Sequence, residues 1–138
     1  MTNHAASSPE QMIERLQESG LRGRGGGWFP AARKWRAVRA EAADPFRPED
    51  RRPLVIANGA EGEPGSVKDR HVMITRAGDV VAGLALAARA VGATEAVFYL
   101  KGSFARAAAA LEAALAGALP EGVRARVHRG DDSYVEGF

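Results

Sequence analysis

The sequence predicts an α/β fold: a three-layer, partly parallel sheet of the doubly wound kind, built from a βαβαβ run and preceded by two helices, with residues 1–138 as a single domain. Three observations predict it. Strand-length apolar runs alternate with helix-length amphipathic or apolar segments. "LVIA" is a short continuous apolar run, as a strand covered on both faces is, and "EAVFYL" reads as a second buried strand. The loops that break the pattern, "NGAEGEPG" and "RGDDSYVEGF", follow the first and third strands, on the edge where such sheets bind ligands.

The elements follow in order. "SSPEQMIERLQESG" predicts a helix with Ser8 at the N-cap, Pro9 at the first helical position, Gln11 closing a capping box and Gly20 past the end. Met12, Ile13 and Leu16 form its apolar stripe. Pro30 opens a second helix to about Ala42, with Trp35, Val38 and Ala42 on one side and a basic remainder. After the loop "DPFRPEDRRP", "LVIA" (Leu54 to Ala57) is the first strand, and "NGAEGEPGSVKDR" is expected to be a loop. "DVVAGLALAARAVG" is a helix apolar on most sides, stopped by Gly92, and so expected between the sheet and another layer or partner. "EAVFYL" is a second buried strand. "SFARAAAALEAALAGAL" is a helix capped by Ser103, and the strict alternation of "VRARVH" suits a half-exposed third strand. Strand, helix, strand, helix, strand is half of a Rossmann-like nucleotide-binding sheet.

Composition narrows the function classes. The 138 residues are 46% hydrophobic and 26% charged, ordinary for a globular domain burying roughly 68% of its unfolded surface. The sequence has no cysteine, so it offers no disulfide, thiol nucleophile, thiolate-held zinc or iron–sulfur cluster. His4, His71 and His128 lack metal-ligand spacing. Neither a membrane-spanning apolar run nor a secretory leader is recognisable, which points to the cytoplasm. The net charge is +2, but Arg22 to Arg52 holds nine basic residues against four acidic ones. That imbalance suits either an anionic partner or a solvated face in an arginine-rich protein.

Between the first two helices, "GLRGRGGGWFPAARKW" has five glycines in the eight residues from Gly20 to Gly27. Gly23, Gly25, Gly26 and Gly27 let the backbone take left-handed angles and expose successive N–H groups. The adjoining helix N-terminus adds free amides and partial positive charge. This is a phosphate cradle, although it matches neither GxxxxGK[ST] nor a GxGxxG that follows a strand. Phe29 offers either a stacking face for a base or flavin ring or a core aromatic. Glu61 and Glu63 suit hydrogen bonds from sugar hydroxyls or a ring amide, or a plain acidic surface turn.

Taken in order, "SGLRGRGGGWFPAARKW", "NGAEGEPGSVKDR", "DVVAGLALAARAVGATEAVFYLKG" and "HRGDDSYVEG" resemble the FMN-carrying, NADH-binding subunit of NADH-quinone oxidoreductase (complex I) and its relatives in NAD-linked hydrogenases and formate dehydrogenases. The likeness runs from about Ser19 onward. It implies that Gly23, Arg24, Gly25 and Gly26 wrap FMN, that Lys34 is a further flavin contact, and that Phe29 stands beside the dinucleotide. Asn58, Glu61 and Glu63 fall on the second loop, with Glu63 near the nicotinamide, and Tyr134 and Gly137 fall on a third flavin motif. The implied cofactors are FMN and NADH. The implied partners are other electron-transfer subunits or a chain completing the flavin site, with no nucleic acid and no membrane span. Hydride would pass directly from NADH to the flavin, so the resemblance assigns no catalytic side chain.

Three positions depart from the family pattern. Trp28 stands where the family has glycine and costs roughly 1–2 kcal/mol if the backbone there is left-handed. Ala60 replaces a carboxylate, and Glu136 interrupts the third motif. The family's ubiquitin-like and iron–sulfur domains have no counterpart in the sequence, which reads as the N-terminal part of a diverged flavin domain. The implied activity is NADH oxidation through FMN to a downstream acceptor. The alternative is a non-catalytic nucleotide-binding or partner-docking remnant.

Overall fold

A computed structural model describes residues 7–24, 27–48, 52–117, 119 and 122–131. The elements are α1 (Pro9–Ser19), α2 (Ala31–Ala42), β1 (Leu54–Gly59), α3 (Lys68–Thr75), α4 (Ala77–Val91), β2 (Glu95–Lys101), α5 (Ala105–Leu115) and β3 (Arg124–Gly130). The strands lie in the order β1-β2-β3. Both pairings are parallel, with Leu54 opposite Glu95 and Glu95 opposite Arg124. The fold is therefore α/β, as expected.

The alternation of side chains divides the sheet. Val55, Ala57, Ala96, Phe98, Leu100, Ala125 and Val127 point to one side, where they meet Met73, Val81, Leu84, Phe104, Ala107, Ala108 and Leu111 from α3, α4 and α5. Phe98, Leu100 and Leu111 are the largest fully buried side chains. A second cluster joins Met12 and Ile13 of α1, Ala32 of α2 and Ala90 of α4, with Leu16, Trp35 and Leu86 packed against it. The layers are thus the sheet, then α3, α4 and α5, then α1 and α2. α4 lies between the sheet and the outer helices, which is why it is apolar on most sides.

Both crossovers lie on the same side of the sheet, so the opposite face carries no helix among the described residues. The expectation that "LVIA" is buried on both faces is corrected: Leu54 is 49% and Ile56 59% exposed, and β1 alternates between exposed and half-buried positions. β2 fits the buried strand expected of it and β3 the half-exposed one.

Local sequence accounts for α1 in full. The Ser8 hydroxyl accepts from the Gln11 amide, the Gln11 side chain accepts from the Ser8 amide, and Gly20 closes the helix at φ 70°. Glu10 reaches across to Arg39 of α2, whose Nε donates at 3.0 Å. Three expectations fail. Val38 is 42% exposed, because the inward stripe of α2 runs through Ala32 and Trp35. The N-cap of α5 is Phe104, not Ser103, and no side chain caps it. Within the stretch read as loop and its continuation lies α3, set 97° to α4 across Arg76. No single helix among the described residues is long and apolar enough to cross a membrane.

Candidate functional site

The glycine loop is closed at its base by its own backbone. The Ala31 amide donates to the Leu21 carbonyl at 3.0 Å and the Gly23 amide to the Phe29 carbonyl at 2.8 Å, while Arg22 and Pro30 pair as an antiparallel bridge. Arg22 also donates through Nη1 to the Trp28 carbonyl at 3.3 Å. Inside this clasp the left-handed freedom that the glycines allow is not used at two positions: neither Gly23 nor Gly27 takes a positive φ. The turn falls instead on Trp28, at φ 46°, the one non-glycine residue with positive φ among those described. For this residue the left-handed region costs about 1–2 kcal/mol. A Cβ at Gly23 would make ordinary contact with the Phe29 carbonyl at 3.6 Å, and one at Gly27 would meet nothing within 4 Å. The described fold therefore does not require glycine at Gly27. Gly25 and Gly26 lie outside the described residues, as do Tyr134 and Gly137.

The aromatic residues beside the clasp are presented to solvent. Trp28 is 57% and Phe29 41% exposed, which removes the core-aromatic reading of Phe29. The Arg24 guanidinium stands 5.7 Å from the Trp28 ring centroid, and Arg33 and Lys34 stand 5.1 and 5.6 Å from that of Phe29. These are cation–π distances. α2 begins here with Pro30 at the N-cap, no side-chain cap and no acidic residue in its first turn, so its partial positive charge is not offset locally. A cleft of about 420 Å³ opens alongside, between Gly20, Leu21 and Pro30, with Arg22, Arg33 and Arg36 on its walls. Arg33 and Arg22 were missed as site residues. The signal for Arg33 was its spacing, i+4 from Phe29 across the first turn of a predicted helix. A somewhat larger cleft, about 470 Å³, lies at the far end of α2 around Val38, Phe46 and Pro48, and no predicted site residue lines it.

The second loop leaves β1 at the carboxyl edge of the sheet, where all three strands end. The Asn58 side chain accepts from the Ala60 amide at 3.1 Å, which turns the chain immediately. Ala60 is buried at 6% exposure. A Cβ on Gly59 would come within 2.8 Å of the Met73 sulfur, near the tip of a flexible side chain from α3 that packs against the strand end. Glu61 has both oxygens engaged: one accepts from the Ser66 hydroxyl, the other from the Asp69 and Arg70 amides at 3.1 and 3.3 Å. Burial acts to raise its pKa, but the Ser66 hydroxyl, the two amides and the Lys68 charge outweigh burial and hold it below the ordinary value. Glu61 thus anchors the start of α3. The Glu63 side chain is exposed, and its carbonyl accepts from the Ser66 amide at 3.1 Å. The structure therefore joins Gly23, Arg24, Phe29 and Lys34 in one neighbourhood, and Asn58, Glu61 and Glu63 in another. Each is held by hydrogen bonds within its own segment. Among the described residues no group of three or more His, Cys, Asp or Glu side chains is placed to hold a metal.

Residues 16–138 match the family model described as the Nuo51 FMN-binding domain, and the chain belongs to that family. It is similar to the mitochondrial NADH-ubiquinone oxidoreductase 51 kDa subunit of Neurospora crassa, 35% identical over 138 residues that cover 91% of this chain and 27% of the relative. It is also similar to the NAD-reducing hydrogenase HoxS subunit alpha of Cupriavidus necator, 43% identical over 97 residues covering 70% of this chain and 15% of the relative. Among solved structures, an NAD+-reducing NiFe-hydrogenase in its H2-reduced state superposes with a TM-score of 0.77 at 36% identity, covering 94% of this chain and 22% of that one. The chain spans less than a third of the length of these relatives.

Proposed function

We propose that the chain holds FMN on the segment from Gly23 to Lys34 and serves a flavoprotein that passes electrons from NADH to an acceptor in another domain or subunit. One observation carries this reading: two exposed aromatic rings, flanked by Arg24, Arg33 and Lys34, stand beside an uncapped helix start and a glycine loop. That donor set fits a ligand combining a flat ring with a phosphate. The family match supports FMN as that ligand. FMN, when bound, would supply hydride acceptance and the release of single electrons. The protein's share is to bind and orient. Gly23, Gly25 and Gly26 allow close backbone approach, Arg24 and Lys34 offset phosphate charge, and Phe29 supplies a flat apolar face. Asn58, Glu63, Tyr134 and Gly137 are proposed contacts to the ribityl chain, ring edge or nicotinamide. Glu61 acts by fixing the loop that carries Asn58 and Glu63. The name NADH-ubiquinone oxidoreductase 51 kDa subunit, borne by a relative, supports NADH as donor and partner subunits as neighbours.

Gly25→Val and Gly26→Val test the cradle. Each places a branched side chain where the phosphate is proposed to meet backbone. Flavin-fluorescence titration is expected to show FMN affinity reduced at least about 10-fold in both, since a lost charge-assisted contact costs roughly 1.5–3 kcal/mol. Unchanged affinity in both variants would remove the loop from the site. The second reading is nucleotide binding without turnover. NADH-dependent ferricyanide reduction above the rate of free FMN would contradict it.

A further inference from the structure

We propose that Trp28 is a binding residue of the same site, its indole stacking on the aromatic ring of a bound nucleotide. The inference rests on the functional reading above and extends it to a side chain with no counterpart in the glycine-bearing family pattern. The fold covers Trp28 little: the residue is 57% exposed, and a Cβ on the neighbouring Gly27 would meet nothing within 4 Å. Its backbone is left-handed, at φ 46°, a conformation that glycine adopts freely and tryptophan does not. An exposed, strained aromatic is not what stability alone would select at this position, and strain of this kind gathers at ligand sites. The surroundings also hold the ring ready. Arg22 donates to the Trp28 carbonyl, the Arg24 guanidinium lies 5.7 Å from the ring centroid, and Phe29 follows with its own flanking cations. Two adjacent aromatic faces with guanidinium groups beside them suit a flat heteroaromatic ring carrying phosphate. FMN and the adenylate portion of a dinucleotide share that chemistry.

The test uses the whole chain with FMN and AMP as separate probes. The protein has two tryptophans, and Trp35 packs among the outer helices, so a ligand stacking on Trp28 should quench part of the emission. Trp28→Gly is expected to weaken binding of at least one probe about 10-fold, as loss of a base–aromatic stack does, without lowering the urea unfolding midpoint. Trp28→Phe should retain affinity within about 3-fold while losing the ligand-dependent quench. The probe whose affinity responds identifies which ring lies on Trp28. If Trp28→Gly binds both probes as the native chain does, the role of Trp28 is overturned and the FMN reading stands. If both variants lose affinity together with stability, Trp28 is structural and the proposal is overturned. A native chain that binds neither probe would overturn both.

Discussion

At the scale of single residues, two places carry a backbone constraint. Trp28 carries a left-handed backbone in an otherwise glycine-rich clasp. Its place where the family pattern has glycine raised that conformation, whereas Gly23 and Gly27, which allow a left-handed backbone, do not take it. Composition marks where a turn can form but does not say which residue takes the turn. Gly102 could not be singled out from sequence at all, because its constraint comes from the next strand: a Cβ there would lie 2.6 Å from the Gly130 carbonyl oxygen, on backbone that cannot swing aside. Gly102→Ala is therefore expected to destabilise the chain by about 1–3 kcal/mol, read as a fall in the urea unfolding midpoint. An unchanged midpoint would mean that the ends of β2 and β3 separate more easily than this contact implies.

At the scale of elements, α1 was legible and α3 was not, for one physical reason. The caps of α1 lie within the helix and its flanking residues, Ser8 with Gln11 and Gly20 beyond, and so appear as a pattern of near neighbours. The start of α3 is held by Glu61, eight and nine residues before the amides it accepts from. Only Met73 of α3 is buried, so no apolar period announces it. The same carboxylate couples α3 to pH. Its folded pKa is lowered, so folding favours the ionised form. That contribution is complete above the ordinary glutamate pKa and disappears as pH falls through the lowered folded value. Glu61→Gln is expected to cost about 0.5–2 kcal/mol near neutral pH, as a lost helix-start acceptor does. The cost should vanish in acid, where the native carboxylate is itself protonated. Denaturation midpoints measured across that range would show the two proteins converging. A constant gap would assign the effect to packing.

At the scale of the whole molecule, the sequence revealed the alternation of strands and helices, but the coverage of the sheet had to come from topology. A run such as "LVIA" reads as buried on both faces, yet with α4 and α5 packed together on one side, every second residue of β1 faces away from the helices. Leu100→Ala is expected to cost about 2–5 kcal/mol, because the side chain is fully buried. Ile56→Ala, on the open face, should cost less than about 1 kcal/mol. Comparable losses in the two variants would show that both faces are covered in solution. The candidate site was legible where it is local, in Arg24, Phe29 and Lys34 around one loop. It was not legible where side chains serve a neighbouring element, as Glu61 does. If this loop and the first turn of α2 receive a flavin through its phosphate, equilibrium dialysis of the chain against FMN and against riboflavin separates the two ligands. Saturable one-to-one binding of FMN is expected, with weaker binding of riboflavin and an FMN affinity that falls with rising salt and falls again in the Arg33→Ala, Lys34→Ala double variant. Equal binding of the two flavins, indifferent to salt and to the double variant, would contradict that expectation.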